Sequence, residues 1–284
     1  MQGISRRGFF VSACAAAGLK GLAPAKAAGM KFGLVTYQWG KDMDLRTLIS
    51  ACEKSGLLGV ELRTEHAHGV EPSLSKAQRV EVRKRFASSP VTLVGYGSNC
   101  EFHSPDPAVV RRNIELAKQY VVLMADCGGL GVKVKPNGFP PNVPREKTIE
   151  QIGRALNELG AFGADHGQKI RLEVHGRETC ELPVIKAIFD VATHPNVYVC
   201  WNSNSEDLKG AGLEANFAMV KSRIGDTAHV RELDAGDYPY RRLFELFAVI
   251  NYQGWILLEA RKEVPDKVQA MAQQLKVFHS LLAR

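Results

Sequence analysis

The stretch Lys169-Ile170-Arg171-Leu172-Glu173-Val174-His175-Gly176 alternates apolar and polar side chains residue by residue, which is the period of a β-strand. Ile170, Leu172 and Val174 share one parity; Arg171, Glu173 and His175 share the other. In a barrel the first parity meets the surrounding helices and the second points at the axis. The same alternation returns along the chain. Val60 and Leu62 leave Glu61 and Arg63 for the axis, and Val132 and Val134 leave Lys133 and Lys135. Ala228 and Val230 leave Thr227, His229 and Arg231, while Ile256 and Leu258 leave Leu257, Glu259 and Arg261.

The β-branched runs number eight: Lys31 to Tyr37, Gly59 to Arg63, Val91 to Tyr96, Gly131 to Lys135, Lys169 to Val174, Val197 to Trp201, Thr227 to Arg231, and Trp255 to Glu259. Helix candidates lie between them, among them Ser75 to Ser88, opened by the capping pattern Ser75-Lys76-Ala77-Gln78, and Arg145 to His166, closed by Gly167. Eight strand–helix repeats in about 250 residues predict a single-domain (β/α)8 TIM barrel. A doubly wound sheet is the competitor, but the first strand runs into Tyr37-Gln38-Trp39-Gly40-Lys41, with neither GxGxxG nor GxxxxGK[ST]. Dinucleotide and P-loop readings are excluded.

Of the 284 residues, 45% are hydrophobic and 24% charged, which excludes a disordered chain and a polytopic membrane protein. The opening Ser5-Arg6-Arg7-Gly8-Phe9-Phe10, an apolar Ala/Gly-rich run and Ala25-Lys26-Ala27 predict a twin-arginine signal peptide over residues 1–27. The mature barrel is then 28–284, periplasmic or otherwise exported, with no membrane attachment after cleavage. Arg6, Arg7, Lys20 and Lys26 leave with the signal, so the net charge of +7 falls by four to +3, too modest for a nucleic-acid surface. Five scattered cysteines remain (Cys52, Cys100, Cys127, Cys180, Cys200), with no CxxC spacing; they read as small buried hydrophobes.

Charges on a barrel axis must be paired, solvated or held on a metal, because an isolated buried charge costs several kcal/mol. Four polar residues come from the ends of the last four strands: Glu173, Asn202 in Trp201-Asn202-Ser203, His229 and Glu259. Two carboxylates, an imidazole and an amide oxygen form a mostly hard donor set, suited to a divalent metal, Mn²⁺, Mg²⁺ or Co²⁺, with Zn²⁺ as an alternative.

In this ordered set the chain resembles the sugar phosphate isomerase/epimerase family of xylose-isomerase-like TIM barrels, from Phe32-Gly33-Leu34 through Gly254-Trp255-Ile256-Leu257-Leu258-Glu259. The resemblance implies that Glu173, His229 and Glu259 are metal ligands, and that Asn202 stands where the family usually has Asp. It implies a metal-dependent isomerase or epimerase acting on a small carbohydrate by proton abstraction alpha to a carbonyl, through an enediolate. Glu173 and Glu259 are then the acid/base groups, with His175 in support. Homo-oligomers also follow from the resemblance. The family's His shortly after the Asp is replaced here by Ser203-Asn204-Ser205, and its substrate-binding Arg after the His ligand has only Arg231 as a counterpart.

Around this centre Glu61, Lys133, Lys135, Arg231 and Arg261 are candidate substrate-binding groups, and Trp39, Phe139 and Trp201 are candidates for an apolar wall against a sugar ring. His66-Ala67-His68 is a further motif, short of the ligands a second metal needs. Competing readings are a lyase or hydrolase on keto-glycosides using the same carbanion, a non-catalytic carbohydrate-binding barrel, and an apurinic endonuclease, against which the small mature charge and the export signal both argue.

Overall fold

The computed structural model describes residues 29–283; the expected signal peptide lies outside them. Eight parallel strands close into one barrel, each neighbour in space being the next in sequence and β8 returning to β1. The strands are β1 (Lys31–Val35), β2 (Gly59–Arg63), β3 (Thr92–Glu101), β4 (Gly131–Lys135), β5 (Lys169–Glu173), β6 (Val197–Asn202), β7 (Ile224–Val230) and β8 (Trp255–Leu258). The helices between and after them are α1 (Leu45–Ser55), α2 (Lys76–Ala87), α3 (Pro107–Cys127), α4 (Arg145–Asp165), α5 (Leu182–Val191), α6 (Leu213–Val220), α7 (Tyr240–Val249) and α8 (Lys267–Leu282). The chain is a (β/α)8 barrel.

Local chemistry sets the helix ends. Ser75 and Gln78 exchange side-chain and backbone hydrogen bonds at the start of α2, as the sequence pattern predicts. Asp106 caps α3, Pro107 occupies its first turn, and Gly128 ends it at φ 81°. The main apolar core lies between barrel and helices and takes Val60, Leu62, Val132, Val134, Ile170, Leu172, Ala228, Val230, Ile256 and Leu258, the parity assigned outward. The five described cysteines are buried and unpaired. Among the described residues no helix is long and apolar enough to cross a membrane.

The axis is filled by charge, with one small apolar cluster of Val35, Val94, Trp255 and Leu257. Near the N-terminal ends of the strands the fully buried Arg171 grips Asp226 with two bonds, Nε to Oδ1 at 2.9 Å and Nη2 to Oδ2 at 3.1 Å. Its Nη1 donates to the Val94 carbonyl at 3.0 Å. A side chain this long crosses the barrel only because Gly95 and Gly131 leave room. A Cβ on Gly95 would stand 2.4 Å from Arg171 Nη1 and 2.5 Å from the Gly131 carbonyl oxygen. One of those neighbours is backbone and cannot step aside. Gly95→Ala is expected to destabilise the fold by about 1–3 kcal/mol through overpacking, read as a lower midpoint of urea denaturation; an unchanged midpoint contradicts this packing.

Candidate active site

At the C-terminal ends of the strands the polar parity meets. β5 supplies Glu173, β6 Asn202, β7 His229, and the residue after β8 is Glu259. One ligand atom from each of Glu173, His229 and Glu259 lies within 4.8 Å of the others, and all three side chains are buried. Asn202 stands beside them, its Nδ2 donating to Glu173 Oε1 at 3.0 Å.

Each acid is matched by a base from another strand. Lys133 on β4 donates to Glu173 Oε2 at 2.5 Å, both side chains almost wholly out of solvent. Arg63 on β2 donates from Nη1 to Glu259 Oε1 at 2.7 Å while its guanidinium lies 5.0 Å from the Tyr37 ring centre. Gly97 on β3 makes space for this layer, since a Cβ there would sit 2.8 Å from Glu61 Oε1. Burial alone would push the Glu173 carboxyl up, but the Lys133 ammonium and the His229 ring hold it well below the ordinary carboxylate range. It is therefore an anion.

His229 is fully buried between two acids, Nε2 3.1 Å from Glu61 Oε1 and Nδ1 3.4 Å from Glu173 Oε1. Neither contact is aligned as a hydrogen bond, so both ring nitrogens and both Glu61 oxygens are without a hydrogen-bond partner among the described residues. Burial disfavours charge on the ring, yet the Cys200 sulfur and the Glu61 and Glu173 carboxylates outweigh it and raise its pKa well above the imidazole value. A divalent cation that displaced the proton of this ring would find an imidazole with no competing hydrogen bond and carboxylates from β2 and β5 beside it, a donor set such a cation fits.

Above this floor opens a cavity of about 340 Å³, within the range that takes a small organic ligand; Tyr37, Arg63, His175, Asn204, Glu259 and Arg261 contribute to its wall. His175 is held by a relay. Asn137 Nδ2 donates to Glu101 Oε2 at 2.6 Å, so its Oδ1 faces His175 Nδ1 at 2.8 Å as an acceptor. The proton of the ring therefore sits on Nδ1. Nε2 carries the lone pair. Burial, with help from Lys133 and Lys135, keeps the ring below its usual pKa and neutral near pH 7. Asn137 itself adopts φ 64°, which Asn tolerates better than most residues.

Of the residues expected to bind substrate, Arg261 lines the cavity. Glu61 and Lys133 are fully buried beneath it, where they hold His229 and Glu173 instead. Lys135 reaches toward Asn99, with Nζ 3.1 Å from Oδ1, and Arg231 turns toward Asp237, 3.8 Å away. Trp201 is corrected: it is fully buried, 5.6 Å from Phe217 in the outer core, because Asn202 takes the axial parity and its neighbour must face the helices. Trp39 is buried too, donating from Nε1 to the Lys262 carbonyl at 2.7 Å, and Phe139 stacks with Arg145. The aromatic wall is Tyr37 instead.

Among the described residues His66 and His68 join no cluster of three metal-ligating side chains. His68 accepts from the Val70 N–H at Nδ1 and donates from Nε2 to the Arg63 carbonyl, and His66 Nδ1 is hydrogen-bonded to the Thr36 hydroxyl at 3.0 Å. Missing from the expected substrate-binding set were Arg63, Tyr37 and Asn204; only Arg63 had a signal, its shared face with Glu61.

The model of the xylose isomerase-like TIM barrel family matches residues 49–281, and the chain belongs to that family. Comparison with curated proteins gives no match. Among solved structures, the chain is similar to the apo 3-keto-D-glucoside 4-epimerase YcjR from E. coli, at 15% identity and TM-score 0.74, over 88% of this chain and 99% of that one. It is similar to the D-psicose 3-epimerase from Clostridium cellulolyticum with D-tagatose, at 16% identity and TM-score 0.76, over 90% and 100% of the two chains. The IolI protein with a bound zinc atom aligns at 16% identity and TM-score 0.71, over 89% and 98%. At these identities the likeness is one of fold.

Asn137→Gly keeps the backbone conformation and removes the acceptor. The nitrogen chemical shifts of His175 are expected to report Nδ1–H alone in the parent and a mixture of both tautomers in the variant; identical spectra would dismiss the relay.

Proposed function

We propose that this chain is a divalent-metal-dependent isomerase or epimerase that moves a proton on the carbon alpha to the carbonyl of a sugar or keto-sugar. The observation that carries the reading is the convergence of Glu173, His229 and Glu259 within 4.8 Å at the floor of a ligand-sized cavity. These three would hold the cation. Asn202 would join them by rotating its amide half a turn, which brings Oδ1 to where Nδ2 now stands. When bound, the cation supplies stabilisation of the negative charge that develops on the substrate oxygens as the proton leaves.

The chain's own groups divide the remaining work. Glu259 opens on the cavity and is the base that takes the alpha proton, while Glu173, buried and locked to Lys133, stays a ligand. His175 offers its Nε2 lone pair to a substrate hydroxyl, and can take or return a second proton there. Tyr37 gives the sugar ring an aromatic face. Returning the proton to the opposite face makes an epimer. Moving a hydroxyl proton as well makes an isomer, and loss of a β-substituent from a keto-glycoside makes a lyase from the same residues. Sugar epimerases among the fold neighbours support the first outcome. The reading includes export of the mature chain 28–284 by the twin-arginine route, which favours unphosphorylated substrates.

Glu259→Gln is expected to abolish exchange of the substrate's alpha proton with solvent in D₂O, followed by NMR on D-fructose and D-allulose; exchange at the parent rate would remove Glu259 as the base. Asn202→Asp adds one negative charge to the ligand set, and is expected to tighten Mn²⁺ binding about tenfold, or about 1.4 kcal/mol, by calorimetry. Unchanged or weaker binding would place Asn202 outside the coordination sphere.

A further inference from the structure

At the end of the barrel opposite the candidate site, around the N-terminal ends of β1, β5, β7 and β8, lies a second cavity that the proposed chemistry leaves unused. Its volume of about 530 Å³ is again within the range that takes a small organic ligand. Lys31, Lys169 and Lys221 stand in its wall, with Asp226 the one acid among the lining residues. That acid is already spent. The fully buried Arg171 takes it with Nε and Nη2, and Lys169 adds Nζ to Oδ2 at 2.9 Å. Lys31 is left to lie over the Trp255 ring, 5.1 Å from its centre, and the exposed Lys221 has no ion-pair or hydrogen-bond partner among the described residues.

Lys31, Lys169, Lys221 and Arg171 against Asp226 leave an excess of three positive charges around one hollow, as large as the net charge of residues 28–284 as a whole. Elsewhere the chain's charges balance. Ammonium groups gathered in this way repel one another, and a face that served stability alone would pair them, as Arg171 and Asp226 are paired on the axis. An anion removes the repulsion. Arg171 is committed to Asp226 and the Val94 carbonyl, so the groups facing the cavity are ammonium point charges, which answer to charge density rather than to the plane of a carboxylate. They are also spread out. Lys31 comes from β1, Lys169 from β5 and Lys221 from the short 3-10 turn after α6, an arrangement that suits a ligand charged at more than one point.

We infer that this cavity is an anion site for linked or neighbouring phosphate groups, received by Lys31, Lys169 and Lys221. It is separate from the site of Glu173, His229 and Glu259, and stands whether or not that site moves a proton. A soluble polyphosphate carries such groups on one molecule, and the headgroups of an anionic bilayer present them side by side. Either ligand leaves the cavity at the C-terminal ends of the strands open.

Calorimetry on residues 28–284 without added metal, titrated with pyrophosphate and with inorganic phosphate, tests it. Pyrophosphate is expected to bind about tenfold tighter than phosphate at low salt, with its affinity falling as salt rises. Lys31→Gln and Lys221→Gln, both changes of exposed side chains, are each expected to weaken pyrophosphate binding about fivefold, and Arg261→Gln at the far cavity to leave it unchanged. Co-sedimentation with vesicles of phosphatidylglycerol and phosphatidylcholine separates the two sources. Capture that Lys31→Gln and Lys221→Gln abolish assigns lipid headgroups, and pyrophosphate binding without capture assigns a soluble polyphosphate. Neither binding nor capture, binding that survives both lysine changes, or binding that falls only with Arg261→Gln overturns the inference.

Discussion

A charge on the axis of this barrel has no water to turn to, so each must meet an opposite charge brought by another strand. The axis is accordingly a ladder of pairs. Arg171 and Asp226 stand at the lower end, Lys133 with Glu173 and Glu61 with His229 in the middle, and Arg63 with Glu259 at the mouth. In each pair the partners come from different strands, so the pairing also ties the barrel across its axis. Breaking a buried pair by removing one partner costs about 3–5 kcal/mol, and the registers of β2, β4, β5 and β7 and the end of β8 are thereby tied to one another. The glycines of β3 are part of the same constraint: Gly95 admits Arg171 and Gly97 admits Glu61 and Lys133.

The candidate site is where that ladder ends incompletely. At the lower end Arg171 and Asp226 are bonded to each other; at His229 and Glu61 four buried atoms are without hydrogen bonds. Leaving such groups unsatisfied costs about 1–3 kcal/mol each, a cost a purely structural interior has no reason to carry. Lys133 keeps Glu173 ionised, and Glu61 braces the imidazole from behind. Asn137 and Glu101 do the same for His175. Supporting residues of this kind fix the orientation and protonation of the groups that would touch metal and substrate.

The fold was legible because period-two alternation survives even when half the positions are charged. Ile170, Leu172 and Val174 point outward, and parity then places Arg171 and Glu173 inside with no knowledge of the rest. Parity fixes direction but not depth. It put Glu61, Lys133 and Lys135 on the axis correctly, yet could not tell that the first two stop below the cavity, since that depends on how far each strand is shifted along its neighbour. Trp201 was assigned to the cavity on residue type alone, against the parity of Asn202 beside it. Tyr37 and Asn204 lie past the strand ends, in loops where no period operates, and the Asn137 relay depends on a single residue at φ 64°. Such contacts are set by three-dimensional closure alone.

All of this comes to bear on whether one cation sits among Glu173, His229 and Glu259. Crystals of residues 28–284 soaked in Mn²⁺, with diffraction recorded at the manganese absorption edge, answer it directly. The account predicts one anomalous peak at bonding distance from all three side chains, with Asn202 turned to present its oxygen. A soaked crystal with no peak there, or with manganese only at surface carboxylates, would contradict it.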